Sequence, residues 1–196
     1  MCKMRLDEGI AFWQSLPRNN QEELPVADGF FDQELMPLSL ELFLEKQASK
    51  VKQDYYGMML TLGTSWQPLA LSIALLKPKK ILVMCTQDTY PLLEILLSFL
   101  HLDRNNVQCA FVDRSSSEDI YLEMKAAYLD WSDKGKLCAD ITGGTKAMAS
   151  SAAMMAAVLG MDIYYVESRY LPLYRRPLPG SEELKVLGNP LEFNCR

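Results

Sequence analysis

The sequence predicts an α/β protein with a doubly wound, mostly parallel, Rossmann-like sheet and a helical N-terminal extension. From Met58 onward, short apolar runs alternate with segments of helical spacing, which is the pattern of βαβ units. The strand-like runs are almost wholly apolar, as expected for a parallel sheet that helices cover on both faces. The chain has 196 residues and is 49% hydrophobic, which is enough apolar material for one full core.

The predicted elements follow one another regularly along the chain. Five segments have the character of buried strands: Met58–Leu62, Lys80–Thr86, Val107–Val112, Lys136–Ile141 and Asp162–Val166. Four segments have helical spacing of apolar residues: Pro68–Leu76, Pro91–Leu100, Glu118–Trp131 and Gly144–Leu159. Because βαβ connections are right-handed, this alternation predicts a parallel sheet whose ligands bind beyond the carboxyl ends of the strands.

Residues 1–57 differ in composition from the rest of the chain. We predict a helical extension there, followed by one ligand-binding domain over residues 58–196. Apolar spacing indicates helices near Leu6–Trp13 and Leu38–Leu44, separated by turns that contain proline and glycine. The extension carries 6 basic and 10 acidic residues, a balance of −4 in a chain of net charge −5.

Charge and cysteine content exclude several classes of protein. A pI near 5.0 argues against a protein that coats duplex DNA, although backbone amides can still hold a small anion. Five cysteines without CxxC spacing indicate reduced thiols and a cytoplasmic protein. A signal peptide and a membrane-spanning run are not recognisable. With His101 as the single histidine, we predict no metal site and no cofactor.

The loop after the first predicted strand reads Gly63-Thr64-Ser65-Trp66-Gln67. It offers a glycine turn, two hydroxyls and the amino end of a helix, and this combination suits a phosphate. An ordinary helix-capping turn uses the same residue types, so both interpretations stay open. The hydrolase motif GxSxG is not met, because Gln67 occupies the last glycine position.

The loop after the fourth predicted strand is the most informative stretch, and it reads Asp140-Ile141-Thr142-Gly143-Gly144-Thr145-Lys146. The paired glycines allow the backbone to approach a ligand closely, and the threonines add hydroxyls. Because Lys146 opposes the helix dipole, it indicates an anionic partner. A capped turn with an exposed lysine is the alternative. Neither the Walker A motif nor GxGxxG fits this loop.

A third candidate group follows the fifth predicted strand. Arg175 and Arg176 stand in a segment richer in basic than in acidic residues. Arginines there could clamp phosphates or stack on bases. A solvated loop is the alternative interpretation.

With these loops in view, the chain resembles a CRISPR-associated Rossmann-fold (CARF) sensor domain over about Tyr55–Pro190. The resemblance rests on the Gly63-Thr64-Ser65 turn and on the stretch Asp140–Met148. The segment Arg175–Glu182, which reads RRPLPGSE, and Asn189-Pro190 resemble one subgroup of these proteins, in which the sensor is often fused to an effector.

The resemblance implies a homodimer in type III CRISPR antiviral signalling that binds a cyclic oligoadenylate, either tetra- or hexa-adenylate, across its two-fold axis. Each loop would then be used twice. A fused or associated effector is a further partner that the resemblance implies. The expected ligand-binding residues are Gly63, Thr64, Ser65, Trp66, Gln67, Thr86, Gln87, Asp88, Thr142, Gly143, Gly144, Thr145, Lys146, Arg175 and Arg176.

Some CARF proteins also cleave the ring, by attack of a ribose 2′-hydroxyl on its own phosphate. This reaction needs in-line geometry and charge stabilisation more than a dedicated base. Thr64, Ser65 and Lys146 are the candidate catalytic residues, and the sequence leaves cleavage open. A separate effector site is not expected, because the ribonuclease motif RxxxxH fails at Leu96 and zinc-deaminase ligands are missing. The alternative function is a Rossmann-like enzyme or regulator that binds another soluble nucleotide.

Overall fold

The computed structural model describes residues 2–51 and 53–188, apart from the side chains of residues 2–4. These residues form two compact units. Unit 1 comprises the described residues up to Ser49 together with Glu167–Glu183. Unit 2 comprises Lys50–Val166, without residue 52, and the described residues from Leu184 onward. The segment 167–183, which the sequence analysis assigned to the ligand-binding domain, thus groups with the N-terminal helices.

The strands of the described residues are numbered here in chain order. They are β1 (Gly57–Thr61), β2 (Lys80–Cys85), β3 (Val107–Phe111), β4 (Leu137–Asp140), β5 (Asp162–Glu167), β6 (Tyr170–Leu171), β7 (Arg176–Pro177) and β8 (Glu183–Gly188). Six of them form one sheet in the order β3-β2-β1-β4-β5-β8. The four pairings from β3 to β5 are parallel, which confirms the predicted α/β class with a mostly parallel sheet.

The α-helices of the described residues are also numbered in chain order. They are α1 (Cys2–Ser15), α2 (Glu23–Phe30), α3 (Met36–Gln47), α4 (Gln67–Leu76), α5 (Tyr90–Leu100), α6 (Ser117–Trp131) and α7 (Lys146–Val158). In residues 2–51 and 53–188, no helix is both long enough and apolar enough to cross a membrane.

The strands and helices predicted for residues 58–166 are present, with ends shifted by one or two residues. Strand β8 was not predicted. It reads ELKVLG, and only Leu184 is buried among its residues. A strand with so little apolar character carries a weak sequence signal.

One part of the core of unit 2 lies between the sheet and the helices α6 and α7. These two helices pack against each other, and α7 also packs on β1 and β4. Their buried apolar residues include Met124, Trp131 and Met148. Helices α4 and α5 also pack against each other, and the apolar strand residues are buried throughout β1 and β4. This burial is what a sheet covered on both faces requires.

The strand order places a topological switch point between β1 and β4. The chain runs outward from β1 through β2 to β3, and then returns to the other side of β1 to form β4 and β5. In open parallel sheets, ligands bind at such a point, beyond the carboxyl ends of the strands. The loops after β1 and β4 flank this position, and these are the two glycine-containing loops.

Unit 1 is a small helical assembly with its own core. Helices α1, α2 and α3 pack with a π-helical turn, Phe31–Leu35, which lies between α2 and α3. Its buried apolar residues include Leu6, Trp13, Ala27, Phe31, Leu35 and Leu42. Strands β6 and β7 form an antiparallel pair within this unit. Asn189-Pro190, which contributed to the resemblance to a CARF subgroup, lie outside the described residues.

Candidate functional site

The loops after β1 and β4 touch through their glycines. A Cβ at position 63 would lie 2.7 Å from the backbone nitrogen of Gly144 and 3.0 Å from its Cα. Contacts this short with backbone atoms are not tolerated, so position 63 accepts only glycine. Gly144 has φ +83°, and a Cβ there would lie 2.8 Å from Oγ1 of Thr61. The backbone atoms of the two loops therefore pack directly against each other at the switch point.

Asp140 is the last residue of β4 and precedes the second glycine loop. Its Oδ1 accepts a 2.7 Å hydrogen bond from the backbone N–H of Thr142, which sets the direction in which the chain leaves the strand. The side chain is completely buried, and Oδ2 has no hydrogen-bond partner among the described residues. Burial raises the pKa of this carboxyl, although Ser72 and Thr142 lower it in part.

The hydroxyls of Thr142 and Thr145 hold the second loop in place. Oγ1 of Thr142 accepts a 2.8 Å hydrogen bond from the backbone N–H of Val166. Oγ1 of Thr145 caps α7 by accepting from the N–H of Met148 at 3.2 Å, as a threonine at this position commonly does. Lys146, in the first turn of α7, is exposed. Both threonines thus organise the loop, and Lys146 supplies a positive charge at its surface.

In the first loop, the residues divide into exposed and buried ones. Thr64 and Ser65 are exposed, so their hydroxyls are accessible to a ligand. Trp66 and Gln67 are only 3% and 6% exposed, and the Trp66 ring packs on Phe99 with centroids 4.9 Å apart. Both side chains lie in the core under the loop. Trp66 and Gln67 therefore do not have the exposed position that was expected of ligand-binding residues.

The loop after β2 is tied to the loop after β1. Oγ1 of Thr89 accepts a 3.1 Å hydrogen bond from the N–H of Thr86 and donates a 3.3 Å hydrogen bond to the carbonyl of Leu62. Gln87 and Asp88 are exposed at the tip. Thr89 was not among the predicted residues, yet it fixes Thr86 at the same edge of the sheet.

Arg175 and Arg176 both belong to unit 1. The Arg176 guanidinium lies 2.9 Å from Oδ1 of Asp28 and 3.7 Å from Oδ1 of Asp32. It also stacks over the Phe31 ring at 5.1 Å. Arg175 is exposed and has φ +52°. Arg176 is therefore engaged within its own unit, which the sequence analysis did not foresee because Asp28 and Asp32 are far away in the chain.

The loop after β3 was not among the predicted ligand-binding segments. The hydroxyl of Thr145 donates a 3.1 Å hydrogen bond to the carbonyl of Arg114, so this loop reaches the first turn of α7. Arg114 is exposed. A signal was available in the sequence, because Arg114 follows a predicted strand by two residues and the carboxyl ends of parallel strands share one edge.

The amino-terminal edge of the sheet is less suitable than the carboxyl edge for binding a polyanion. His101 is exposed and ends α5 with φ +51°, so it lies at the amino-terminal edge of the strands. A cavity of about 400 Å³ opens at this edge, between the segments that precede β4 and β5. Its lining includes Lys136, Asp133 and Asp162. Because acidic groups outnumber the lysine in that set, the cavity is poorly suited to a polyanion.

Comparison with known proteins supports the resemblance seen in the loops. No family model matches this chain. The CRISPR system endoribonuclease Csm6 of Thermus thermophilus is 30% identical over 171 residues, which cover 83% of this chain and 36% of that protein. The chain therefore spans little more than a third of the curated relative that it matches.

A solved structure has the same fold. Can2 from Sulfobacillus thermosulfidooxidans, in complex with cyclic tetra-adenylate, superposes with a TM-score of 0.52 at 16% sequence identity, over 68% of this chain and 37% of that chain. This likeness supports the Rossmann-like architecture described above. Together with the similarity to Csm6, the glycine loops at the switch point support a CARF domain in this chain.

Proposed function

We propose that this chain senses cyclic oligoadenylates in type III CRISPR signalling and that unit 2 binds the ring at the carboxyl edge of its sheet. The observation that supports this most directly is the close approach of Gly63 to Gly144. It creates a surface free of side chains at the switch point, where the backbone can approach a ligand closely. Csm6 is a CRISPR endoribonuclease, and the Can2 structure holds cyclic tetra-adenylate, so the similarity to both proteins supports this proposal.

The chemistry of the edge suits the phosphates of such a ring. The amino end of α7 presents free backbone N–H groups, which attract anions together with the helix dipole. Exposed Lys146 adds a positive charge, and the exposed hydroxyls of Thr64 and Ser65 add donors from the other loop. Thr142 and Thr145 act mainly by holding this arrangement, since their hydroxyls are engaged within the protein.

The proposed assembly is a homodimer with the ring on its two-fold axis. A cyclic tetra- or hexa-adenylate has rotational symmetry, so one set of loops used twice can contact both halves. This arrangement explains how a shallow edge can bind a large ligand. Gln87 and Asp88, exposed after β2, are proposed to contact an adenine or its ribose. Binding of the ring by Arg175 stays a prediction. For Arg176 we infer instead a stabilising role within unit 1.

Ring cleavage is a second proposed property of the same site. The ribose 2′-oxygen would bond to the adjacent phosphorus while the bond to the 5′-oxygen of the next nucleotide breaks, which leaves a 2′,3′-cyclic phosphate and a 5′-hydroxyl that takes up the proton lost by the 2′-hydroxyl. Thr64, Ser65 and Lys146 would hold the ribose in line with this phosphate and stabilise the charge that develops on its oxygens. The test is incubation of the protein with cyclic tetra- and hexa-adenylate in the presence of EDTA, followed by chromatography. Linear products that depend on Lys146 support cleavage, and rings that stay intact over many hours contradict it.

Calorimetry tests the binding function. We expect binding of cyclic tetra- or hexa-adenylate, with one ring per two chains, and no comparable binding of NAD, ATP or S-adenosylmethionine. The same titration distinguishes the alternative function, an enzyme or regulator for another soluble nucleotide. Tight binding of one of these other nucleotides, without binding of either ring, would contradict the proposal.

A further inference from the structure

The loop after β3 brings a basic side chain to the same edge from a third direction. The Thr145 hydroxyl donates to the Arg114 carbonyl at 3.1 Å, and Lys146 is the next residue in the chain after Thr145. The backbone of Arg114 thus lies beside Thr145, the cap of α7, and the Arg114 and Lys146 side chains are both exposed. Resting on the proposed function, we propose that Arg114 binds a phosphodiester of the cyclic oligoadenylate and adds to the affinity of the site.

The loop that carries Arg114 is held rigidly before any ligand arrives. Oδ1 of Asp113 accepts hydrogen bonds from the backbone N–H of Ser115 at 2.7 Å and from its hydroxyl at 2.5 Å. Oδ2 of Asp119 accepts from the N–H of Asp113 at 2.9 Å. Because the backbone is already ordered, Arg114 can bind an anion without the entropic cost of ordering the loop.

The charges around the loop leave the arginine available. Within residues 2–51 and 53–188, the Arg114 guanidinium has no hydrogen bond and no ion pair. Asp113 is the acidic group next to Arg114 in the chain and attracts it electrostatically, but the two form no ion pair, and the Asp113 carboxylate accepts the hydrogen bonds from Ser115. These hydrogen bonds from Ser115 lower the pKa of Asp113. The loop therefore presents an arginine whose fork of donors matches a phosphate, next to a lysine that contributes a point charge.

The surroundings of Arg114 are consistent with a ligand that extends from the loops after β1 and β4 to the loop after β3. Ser151 in the second turn of α7 donates a 2.8 Å hydrogen bond to Ser117 at the start of α6, so the amino end of α6 is held against α7. A mononucleotide at the switch point would need only the loops after β1 and β4. A ring of four or six nucleotides extends beyond these two loops, and the loop with Arg114 follows β3, the strand two places from β1 in the sheet.

The experiment compares Arg114→Ala and Arg114→Glu with the wild-type full chain in calorimetric titrations of cyclic tetra- and hexa-adenylate at several salt concentrations. Arg104→Ala is the matched control, because Arg104 is an exposed arginine just before the other end of β3, where it pairs with Glu94. We expect about tenfold weaker ring binding for Arg114→Ala and a larger loss for Arg114→Glu. The plot of log affinity against log salt should become shallower by about 0.7 for each phosphate that the protein no longer neutralises.

The possible outcomes separate the two proposals. If the wild type binds a ring and both Arg114 variants keep its affinity and salt dependence, this inference is wrong and the proposed function stands. If the wild type binds neither ring, the proposed function fails and this inference fails with it. Equal losses for Arg114→Ala and Arg104→Ala would also overturn the inference, because they would indicate a general effect of charge. Equal thermal unfolding of all variants confirms that they fold.

Discussion

The hydroxyl of Thr61 donates a 2.6 Å hydrogen bond to the carbonyl of Gly143 and thereby joins the last residue of β1 to the loop after β4. Thr61 is completely buried. The approach is so close that a Cβ at position 143 would lie 2.1 Å from the carbonyl oxygen of Thr61. The two loops of the candidate site therefore form one structural element, and a change in either should disturb both.

Gly143→Ala tests this element. We expect a loss of at least about 2 kcal/mol in the free energy of unfolding, because the new Cβ meets a backbone atom that cannot move aside. Thr61→Val, which removes only the hydrogen bond, should cost about 1–2 kcal/mol. Both losses are measured by urea unfolding, and ring affinity should fall with them.

Gly29→Ala is the control for these variants, because a Cβ at position 29 has no neighbour within 4 Å. It lies in helix α2, where alanine is favoured over glycine by roughly 0.5–1 kcal/mol. We expect it to stabilise the protein. A Gly143→Ala protein as stable as Gly29→Ala would contradict the close approach.

Lys146 should contribute to binding at some cost to the free protein. Lys146→Ala removes a positive charge from the first turn of α7, where it opposes the helix dipole. We expect unchanged or slightly higher thermal stability and about tenfold weaker ring binding. Lys125→Ala, which changes an exposed lysine on α6, should leave affinity unchanged. Equal affinities for the two variants would exclude Lys146 from the site.

Asp140 should make the stability of unit 2 depend on pH. Its pKa in the folded protein is raised from the usual 3.8 by burial, so folding favours the protonated form. The contribution is present in full below pH 3.8 and is lost as pH rises through the raised pKa. Asp140→Asn should make this decline smaller in thermal unfolding measured from pH 4 to 8, and the part that remains comes from Glu182, whose pKa burial also raises.

Asp130→Asn is the control for Asp140→Asn, because the pKa of Asp130 is shifted in the opposite direction. Lys134 lowers the pKa of the exposed Asp130 carboxyl below 3.8, so its contribution is present above pH 3.8 and is lost as pH falls through the lowered pKa. The variant should leave the decline between pH 4 and 8 intact. An identical pH profile for the wild type and Asp140→Asn would show that the Asp140 carboxyl does not titrate with a raised pKa.

Arg176 should stabilise unit 1. Its guanidinium is mostly buried among Asp28, Asp32 and the Phe31 ring, so Arg176→Ala removes one ion-pair partner from each of the two carboxylates. We expect a loss of about 1–2 kcal/mol and unchanged affinity of the chain for the ring. Arg175→Ala, at the exposed neighbouring position, should have little effect on stability. The measurement is thermal unfolding with limited proteolysis of residues 167–183, and reduced ring affinity at unchanged stability would reverse the assignment.

Much of unit 2 could be predicted from the sequence because its signals are local. Apolar runs alternate with helical spacing, and right-handed βαβ connections turn this alternation into a parallel sheet. The same rule places Gly63 and Gly144 at one edge, since both follow the carboxyl end of a strand. What the rule does not supply is their contact, which depends on β1 and β4 being neighbours in the sheet.

Unit 1 was less predictable because its contacts are distant in the chain. Arg176 pairs with Asp28, and Ser39 donates a hydrogen bond to the buried Glu182 at 2.8 Å. Both pairs join the N-terminal helices to the segment after β5. Periodicity along the chain carries no information about such pairs, so the basic segment was interpreted as part of the ligand-binding domain.

The class of fold, the glycine loops and the acidic N-terminal extension follow from the sequence alone, because each depends on residues that are close together in the chain. The tertiary structure was needed to establish which residues meet. It buries Trp66, engages Arg176 within unit 1 and brings Arg114 beside Thr145 and Lys146. The physical reason is that strand order and long-range packing set these distances, and both arise when the whole chain buries its apolar surface.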